Sequence, residues 1–294
     1  MGSRSGLYNV ARQAPSSAGL YNFARKNGLL LGICDGGPLA PCFFDPSTLR
    51  GTPFVSRKKD RGDPATLLPG VRHVVVVGRP YAAVDGALSS LGYGVDYHAA
   101  LTAHLQVLAA LFPATTRYAM QVDSGPLYER GFALKAGLGL RGCNGMVIAT
   151  EAGVGSYFNM GLLLVDGEIP GVAPSRGTVL CCEHCGACRG ACPGAAIDAN
   201  GVDPLRCVSY ISQKPGPLSP QETALLQRSG QLYGCDLCQR VCPHNRAVPV
   251  QPQAVLPQDF LQMDAAAFCE KYGKTAMAWR GLETIKRNAR VSVG

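Results

Sequence analysis

No apolar run in the 294 residues approaches the ~18 that a membrane-crossing helix requires, and the N-terminus lacks the charged-then-apolar pattern of a signal peptide. A soluble, cytoplasmic protein is the expectation. Charge is also scarce: 16% of residues are charged against 47% hydrophobic, which excludes a disordered chain. Such a balance suits a protein that keeps much of its surface buried or covered by ligand. What charge there is leans one way, with Lys+Arg 28 against Asp+Glu 20, and 20 of the 28 are Arg. Arg forks suit phosphate, so polyanionic partners such as RNA or a phosphate-bearing cofactor gain weight, although a basic but inert surface satisfies the same numbers.

Cysteine is plentiful. Eight of the 13 lie between Cys182 and Cys242. Without a secretory signal a disulfide framework is the wrong reading, and the spacing points elsewhere. The first group runs Cys182-x2-Cys185-x2-Cys188-x3-Cys192-Pro193 and the second Cys235-x2-Cys238-x3-Cys242-Pro243. Both contain the bacterial ferredoxin arrangement, in which a tight loop aims successive thiolates at one cubane and the Cys before Pro reaches across to the other. Two 4Fe–4S clusters need eight thiolates; the groups supply seven and Cys207 is the one other cysteine between them. Cys182, Cys185, Cys188 and Cys242 are therefore assigned to one cluster, and Cys192, Cys207, Cys235 and Cys238 to the other. Paired zinc sites, with His184 or His244 completing a set, are the competing metal reading. Zinc ribbons do not need the x3-Cys-Pro element twice, so iron–sulfur is favoured, with both histidines as loop residues. For Cys34, Cys42, Cys143, Cys181 and Cys269 the default is a buried structural thiol.

Two clusters fixed close together make an electron wire, and about 180 residues precede it. The first 26 read as an arm with a short near-duplication, Gly6-Leu7-Tyr8-Asn9 and Gly19-Leu20-Tyr21-Asn22. The run His73–Gly78 predicts a strand covered on both faces. Asp96 caps a helix carrying Leu101, Leu105, Leu108 and Phe112, stopped by Pro113. Leu127–Ala136 reads as a helix, Met146–Thr150 and Leu162–Val165 as strands. Such alternation predicts an α/β sandwich. Ser219-Pro220-Gln221-Glu222 is a capping box opening a helix that closes at Gly230. Prolines 249, 252 and 257 mark a linker, and Gly281–Val291 reads as a helix whose Lys286, Arg287 and Arg290 could face phosphates. The expected divisions are an arm over 1–26, a catalytic domain over 27–178, a double-cluster domain over 179–250, and a linker with a basic helix over 251–294.

Particular residues then carry a resemblance. Val122-Asp123-Ser124-Gly125-Pro126-Leu127-Tyr128-Glu129-Arg130, followed by Lys135-Ala136-Gly137-Leu138-Gly139, is similar to the signature of the epoxyqueuosine reductases, cobalamin-dependent iron–sulfur enzymes related to the reductive dehalogenases. Leu68-Pro69-Gly70, Asp96-Tyr97-His98, Gly155-Ser156-Tyr157-Phe158, Cys207-Val208-Ser209-Tyr210-Ile211, Tyr233-Gly234-Cys235-Asp236 and Lys286-Arg287-Asn288-Ala289 extend it over roughly residues 60–294.

The resemblance implies an α+β fold, with a reductive-dehalogenase-like α/β cobalamin-binding sandwich followed by a ferredoxin-like double-cluster domain. It further implies base-off cobalamin between the two, a substrate bearing an epoxide on a tRNA wobble base, and Asp123 as proton donor. An acid poised near neutral pH needs an apolar pocket to raise its pKa. Gly139 and Gly142 would let backbone approach the cofactor, with Val147, Met160, Ser212, Gln213 and Lys214 also lining it. An external electron donor such as a flavodoxin or ferredoxin is implied, and a monomer is expected. The sequence departs from its relatives at Cys143, where they usually carry Lys, and in a longer loop over Glu151–Gly155. Relatives also continue past the counterpart of Ala289 into a helical-repeat region that helps hold tRNA. The function implied is reduction of epoxyqueuosine to queuosine. The alternatives are reduction or dehalogenation of a small molecule with the same cofactors, and a ferredoxin-like carrier or corrinoid activator.

Overall fold

Val74–Val77 run through the middle of the strand His73–Pro80, and all four valines are fully buried. In the computed structural model, which describes residues 14–44 and 61–293, this strand pairs antiparallel with Leu30–Asp35 on one side and Phe158–Val165 on the other. Tyr118–Val122 adds outside the latter, completing a four-stranded antiparallel sheet. Strand alternation sorts the valines. Val74 and Val76 join Leu162 and Leu164 in one core, whereas Val75 and Val77 join Leu163 and Val165 in another. Burying each such side chain contributes ~1.5–3 kcal/mol, so apolar residues are needed on both faces and polar alternation is lost.

Helices cover each face. Glu129–Lys135 closes the first core through Phe132 and Ala133. Tyr97–Ala109 closes the second through Leu101, Leu105 and Leu108, with Asp96 accepting from the His98 N–H at its start. This is the sandwich that the alternation predicts. The strand read at 146–150 shortens to Val147–Ala149 and forms a hairpin with Gly139–Arg141, while the strand read at 162–165 begins earlier, at Phe158.

The N-terminal reading changes. Gly6–Asn9 lies outside the described residues, but Gly19–Asn22 belongs to the helix Ser17–Lys26, which is docked rather than loose. Leu20 and Ala24, one turn apart, are buried in the second core, and Ser17 anchors the start by donating its N–H to Pro170 and its Oγ–H to Gly171.

The C-terminal reading changes too. Val250–Pro252, read as linker, pairs in parallel with Ala83–Asp85. The helices Pro257–Leu261, Ala265–Tyr272 and Gly281–Val293 bring Phe260, Phe268, Tyr272 and Ile285 together with Leu88, Leu232 and Tyr233 in a third core. Arg287 turns inward and donates from Nη1 to the carbonyls of Lys214 and Gly216, at 2.7 and 2.6 Å. It is placed for the free carbonyls at the end of the helix Val208–Gln213, where a cation is favoured. Ser219 and Glu222 form the predicted reciprocal cap of the helix Pro220–Ser229.

Candidate cluster and proton-donor site

The first cysteine group is stitched to the sandwich through Arg141. Its N–H bonds the Leu180 carbonyl at 2.7 Å and its carbonyl accepts from the Cys182 N–H at 3.0 Å. Cys182, Cys185 and Cys188 then line one cavity together with Cys242, which arrives from the second group about fifty residues later. Charge coupling repeats this sorting. Cys188 senses Cys182, Cys242 and Cys185, and Cys242 senses Cys182 and Cys185. Cys235 senses Cys207 and Cys192, and Cys238 senses Cys235 and Cys207. The thiols thus gather in the neighbourhoods that the cross-over requires, although among the described residues no three of them close into a metal-holding group.

Burial first, and neighbouring thiols after it, push Cys188, Cys207, Cys235, Cys238 and Cys242 up, Cys235 to about 12. Four thiolates can share such a site only when cations neutralise them, which is the donor chemistry of an iron–sulfur cube. Backbone N–H groups already point at the sulfurs: Leu237 at Cys235, Ser209 and Tyr210 at Cys207, and His244 at Cys242. The remaining cysteines divide differently from the default. Cys34 is buried, but Cys42, Cys181 and Cys269 are exposed and Cys143 is half-buried. His184 and His244 sit in the cluster loops, His244 pairing with Glu183 at 2.8 Å.

The second group is bolted to the sandwich by buried polar contacts. Asn245 Nδ2 donates to Ser156 Oγ at 3.0 Å and to the Gln239 carbonyl at 2.8 Å, and the Ser156 N–H donates to Asn245 Oδ1. Asp236 accepts from the Ser90 N–H. These bonds hold the cysteine loops and the sheet as one body.

Asp123 follows the strand Tyr118–Val122 and has φ 56°. A non-glycine residue there costs ~1–2 kcal/mol, so neighbours must hold it. Gln121, buried, does so from both ends. Its side chain accepts from the Leu127 N–H and donates to the Leu127 carbonyl and to Glu129. Glu129 Oε1 in turn accepts the Asp123 N–H at 2.8 Å. The Asp123 carboxyl faces His98 Nε2 at 3.6 Å and bonds the Tyr97 side chain. His98 Nδ1 lies 2.6 Å from Asp96 Oδ1, which places the ring proton there and leaves Nε2 toward Asp123.

The apolar pocket expected around Asp123 surrounds Glu129 instead. The Asp123 side chain is 61% exposed. Burial, followed by the nearby Asp123 charge, pushes Glu129 up to about 8. Glu129 and His98 both stand inside the quoted motifs, yet neither is separable by sequence from a helix opener. Glu129 reaches Asp123 across a six-residue turn, and packing of the helix Tyr97–Ala109 on the sheet brings His98 there.

The other site residues divide between two places. The strand register ends where Val122 pairs with Gly161, one residue before Asp123 and one after Met160. Met160 packs on the same apolar cluster as buried Val147. Gly139 and Gly142 have an internal reason for lacking a side chain: a Cβ would strike the Ile148 carbonyl at the first and the Asn144 side chain at the second. Ser212, Gln213 and Lys214 end the helix that begins after Cys207. Ser212 Oγ accepts from the Gly234 N–H, Gln213 bonds Ser209, and Lys214 is taken up by Glu222 at 2.6 Å.

Residues 181–245 match the family described as "4Fe-4S double cluster binding domain", and residues 61–124 match the one described as "Epoxyqueuosine reductase QueG, DUF1730". Fold and family matches together define a double-cluster iron–sulfur protein built on a mixed α/β sandwich. Epoxyqueuosine reductase of Vibrio cholerae is 32% identical over 260 residues, covering 80% of this chain and 69% of that protein. That of Staphylococcus aureus is 32% identical over 254 residues, covering 78% and 65%. A crystal structure of epoxyqueuosine reductase with a tRNA-Tyr epoxyqueuosine-modified stem loop is similar with TM-score 0.82 at 26% identity, over 93% of this chain and 80% of that one. The chain belongs to the epoxyqueuosine reductase family. It spans 65% of the length of the Staphylococcus relative and 52% of that of Escherichia coli. Among the described residues no helix is long and apolar enough to cross a membrane.

Proposed function

We propose that this protein reduces epoxyqueuosine in tRNA to queuosine, using two 4Fe–4S clusters and base-off cobalamin in the cytoplasm, where thiols stay reduced. Removing the epoxide oxygen as water consumes two electrons and two protons, so the site must deliver both. When bound, the clusters relay single electrons from an external donor such as a flavodoxin or ferredoxin, and cobalamin supplies the strong reductant that meets the substrate. Cys182, Cys185, Cys188 and Cys242 hold one cluster; Cys192, Cys207, Cys235 and Cys238 hold the other.

A corrin would find an apolar contact in half-buried Met160, which packs on the cluster that holds buried Val147, as a flat, largely apolar group requires. By the family resemblance, the hairpin through Gly139 and Gly142 and the helix end at Ser212, Gln213 and Lys214 would also contribute to holding it. Asp123 gives a proton to the epoxide oxygen as the C–O bond breaks, and general acid help of this kind is worth ~10²–10⁴-fold. His98 Nε2, 3.6 Å away, can reload it only after the ring takes a second proton from solvent, since Asp96 holds the first at Nδ1. Glu129 stays protonated through neutral pH, so it grips the Asp123 N–H without placing a second negative charge beside the developing oxyanion. The Arg-rich surface attracts the RNA backbone, and a single chain suffices.

The observation that carries this reading is the combination of two thiol quartets with an acid held at positive φ beside His98. The test is to incubate cluster-loaded protein with cobalamin, a low-potential reductant and tRNA carrying epoxyqueuosine, and to follow the nucleoside by mass spectrometry. Queuosine formation is expected. Turnover of a small epoxide or organohalide with none of the tRNA would replace tRNA by a small molecule, and neither activity would leave an electron carrier.

A further inference from the structure

The tip of the hairpin joining Gly139–Arg141 to Val147–Ala149 touches both thiol quartets. Its backbone is closed by the Gly142 N–H on the Met146 carbonyl at 2.8 Å and the Gly145 N–H on the Gly142 carbonyl at 3.0 Å. Arg130 Nη1 clamps the Gly145 carbonyl at 2.6 Å. Cys143, at the tip, lines the same cavity as Cys182, Cys185, Cys188 and Cys242. Its Sγ lies 3.6 Å from Cys182 Sγ and 3.1 Å from His184 Nδ1. The next residue, Asn144, is buried and hydrogen-bonds the Cys238 thiol of the other quartet with its side chain. One rigid turn thus reaches a sulfur of each set.

We propose that the hairpin tip supplies an outer hydrogen-bond donor to each cluster, the Cys143 thiol to the Cys182 sulfur and the Asn144 amide to the Cys238 sulfur, and so sets their reduction potentials. The inference rests on the two-cluster reading above. Direction follows from chemistry. An iron-bound Cys182 thiolate has no proton and can only accept, so Cys143 S–H donates. The Cys143 sulfur then accepts from the Nδ1–H of His184, whose φ of 55° turns it within the Cys182–Cys185 loop. Each electron added to a cluster raises its negative charge, and a donor at a ligand sulfur stabilises that state. Cys143 therefore raises the potential of the cluster held by Cys182. It is a positioning residue with no bond to iron.

The experiment is a potentiometric titration of the anaerobic, cluster-loaded chain followed by electron paramagnetic resonance, with iron and sulfide counted in each sample. Cys182→Ser identifies which signal belongs to the first cluster. Cys143→Ala is expected to keep full iron and to disfavour reduction of that cluster about tenfold, which is ~59 mV for one electron, while the other cluster holds its potential. Cys143→Ser, which keeps a donor, is expected to recover part of the shift. Asn144→Ala is expected to move the second signal and spare the first. Unchanged potentials in Cys143→Ala at full iron content would overturn the proposal, as would loss of one cluster's iron, which would make Cys143 a ligand. A wild-type chain without two clusters would instead overturn the function proposed above.

Discussion

The backbone N–H of Asp123 donates to Glu129 Oε1 at 2.8 Å, so the exposed carboxyl proposed to deliver the proton is held in its strained conformation by a buried one. The two acids lie in opposite environments. Glu129 is pushed up to about 8 chiefly by burial, while the Asp123 side chain reaches solvent and His98.

Replacing Asp123 by Asn keeps the shape and the Glu129 hydrogen bond and removes the transferable proton. Queuosine formation is expected to fall ~10²–10⁴-fold, with iron content and the absorbance of bound cobalamin unchanged. A Asn variant with wild-type turnover would remove Asp123 from the chemistry.

Glu129→Gln is expected to change how stability depends on pH. The folded chain holds this proton up to about pH 8, whereas an unfolded chain releases it near the ordinary 4.5. The folded state therefore binds more protons between these values. The stabilisation is complete below 4.5 and is lost as pH rises through 8. Thermal unfolding of the cluster-loaded protein should show a steeper decline from pH 5 to pH 8 in wild type than in Glu129→Gln. Equal slopes would contradict the assignment.

The cross-over predicts which cysteine variants behave alike. Cys188→Ala and Cys242→Ala should erase the same cluster signal although 54 residues separate them, and Cys192→Ala and Cys207→Ala should erase the other. Cys188→Ala and Cys192→Ala, neighbours in sequence, should differ.

Asn245 joins the second cysteine group to the sandwich through Ser156 and the Gln239 carbonyl. Asn245→Ala leaves buried partners unsatisfied and is expected to cost ~1–3 kcal/mol. The check is the denaturant midpoint of the loaded protein, with wild-type stability as the contrary result.

Cysteine spacing made the double-cluster domain legible because ferredoxin loops are local: seven of the eight proposed ligands fall in two Pro-terminated runs. The double-faced strand was legible for a similar reason, since Val74–Val77 declares its burial residue by residue. Glu129, His98 and Cys143 were not. Their roles depend on burial of a helix opener, on a helix packing against the sheet and on a hairpin tip meeting a loop forty residues away, and no local pattern encodes these. The segment after residue 250 misled because Pro252 ends a short strand and Pro257 opens a helix, while the packing of Phe260, Phe268 and Ile285 is long-range. Arg287 misled because a basic side chain on a helix reads the same whether it faces solvent or a row of free carbonyls.

The account depends most on the two quartets, and metal and sulfide analysis of anaerobically prepared protein tests them most directly. It predicts iron and sulfide for two 4Fe–4S clusters in each chain, with two reducible signals by electron paramagnetic resonance. Zinc in place of iron, or iron for a single cluster in the intact chain, would contradict it.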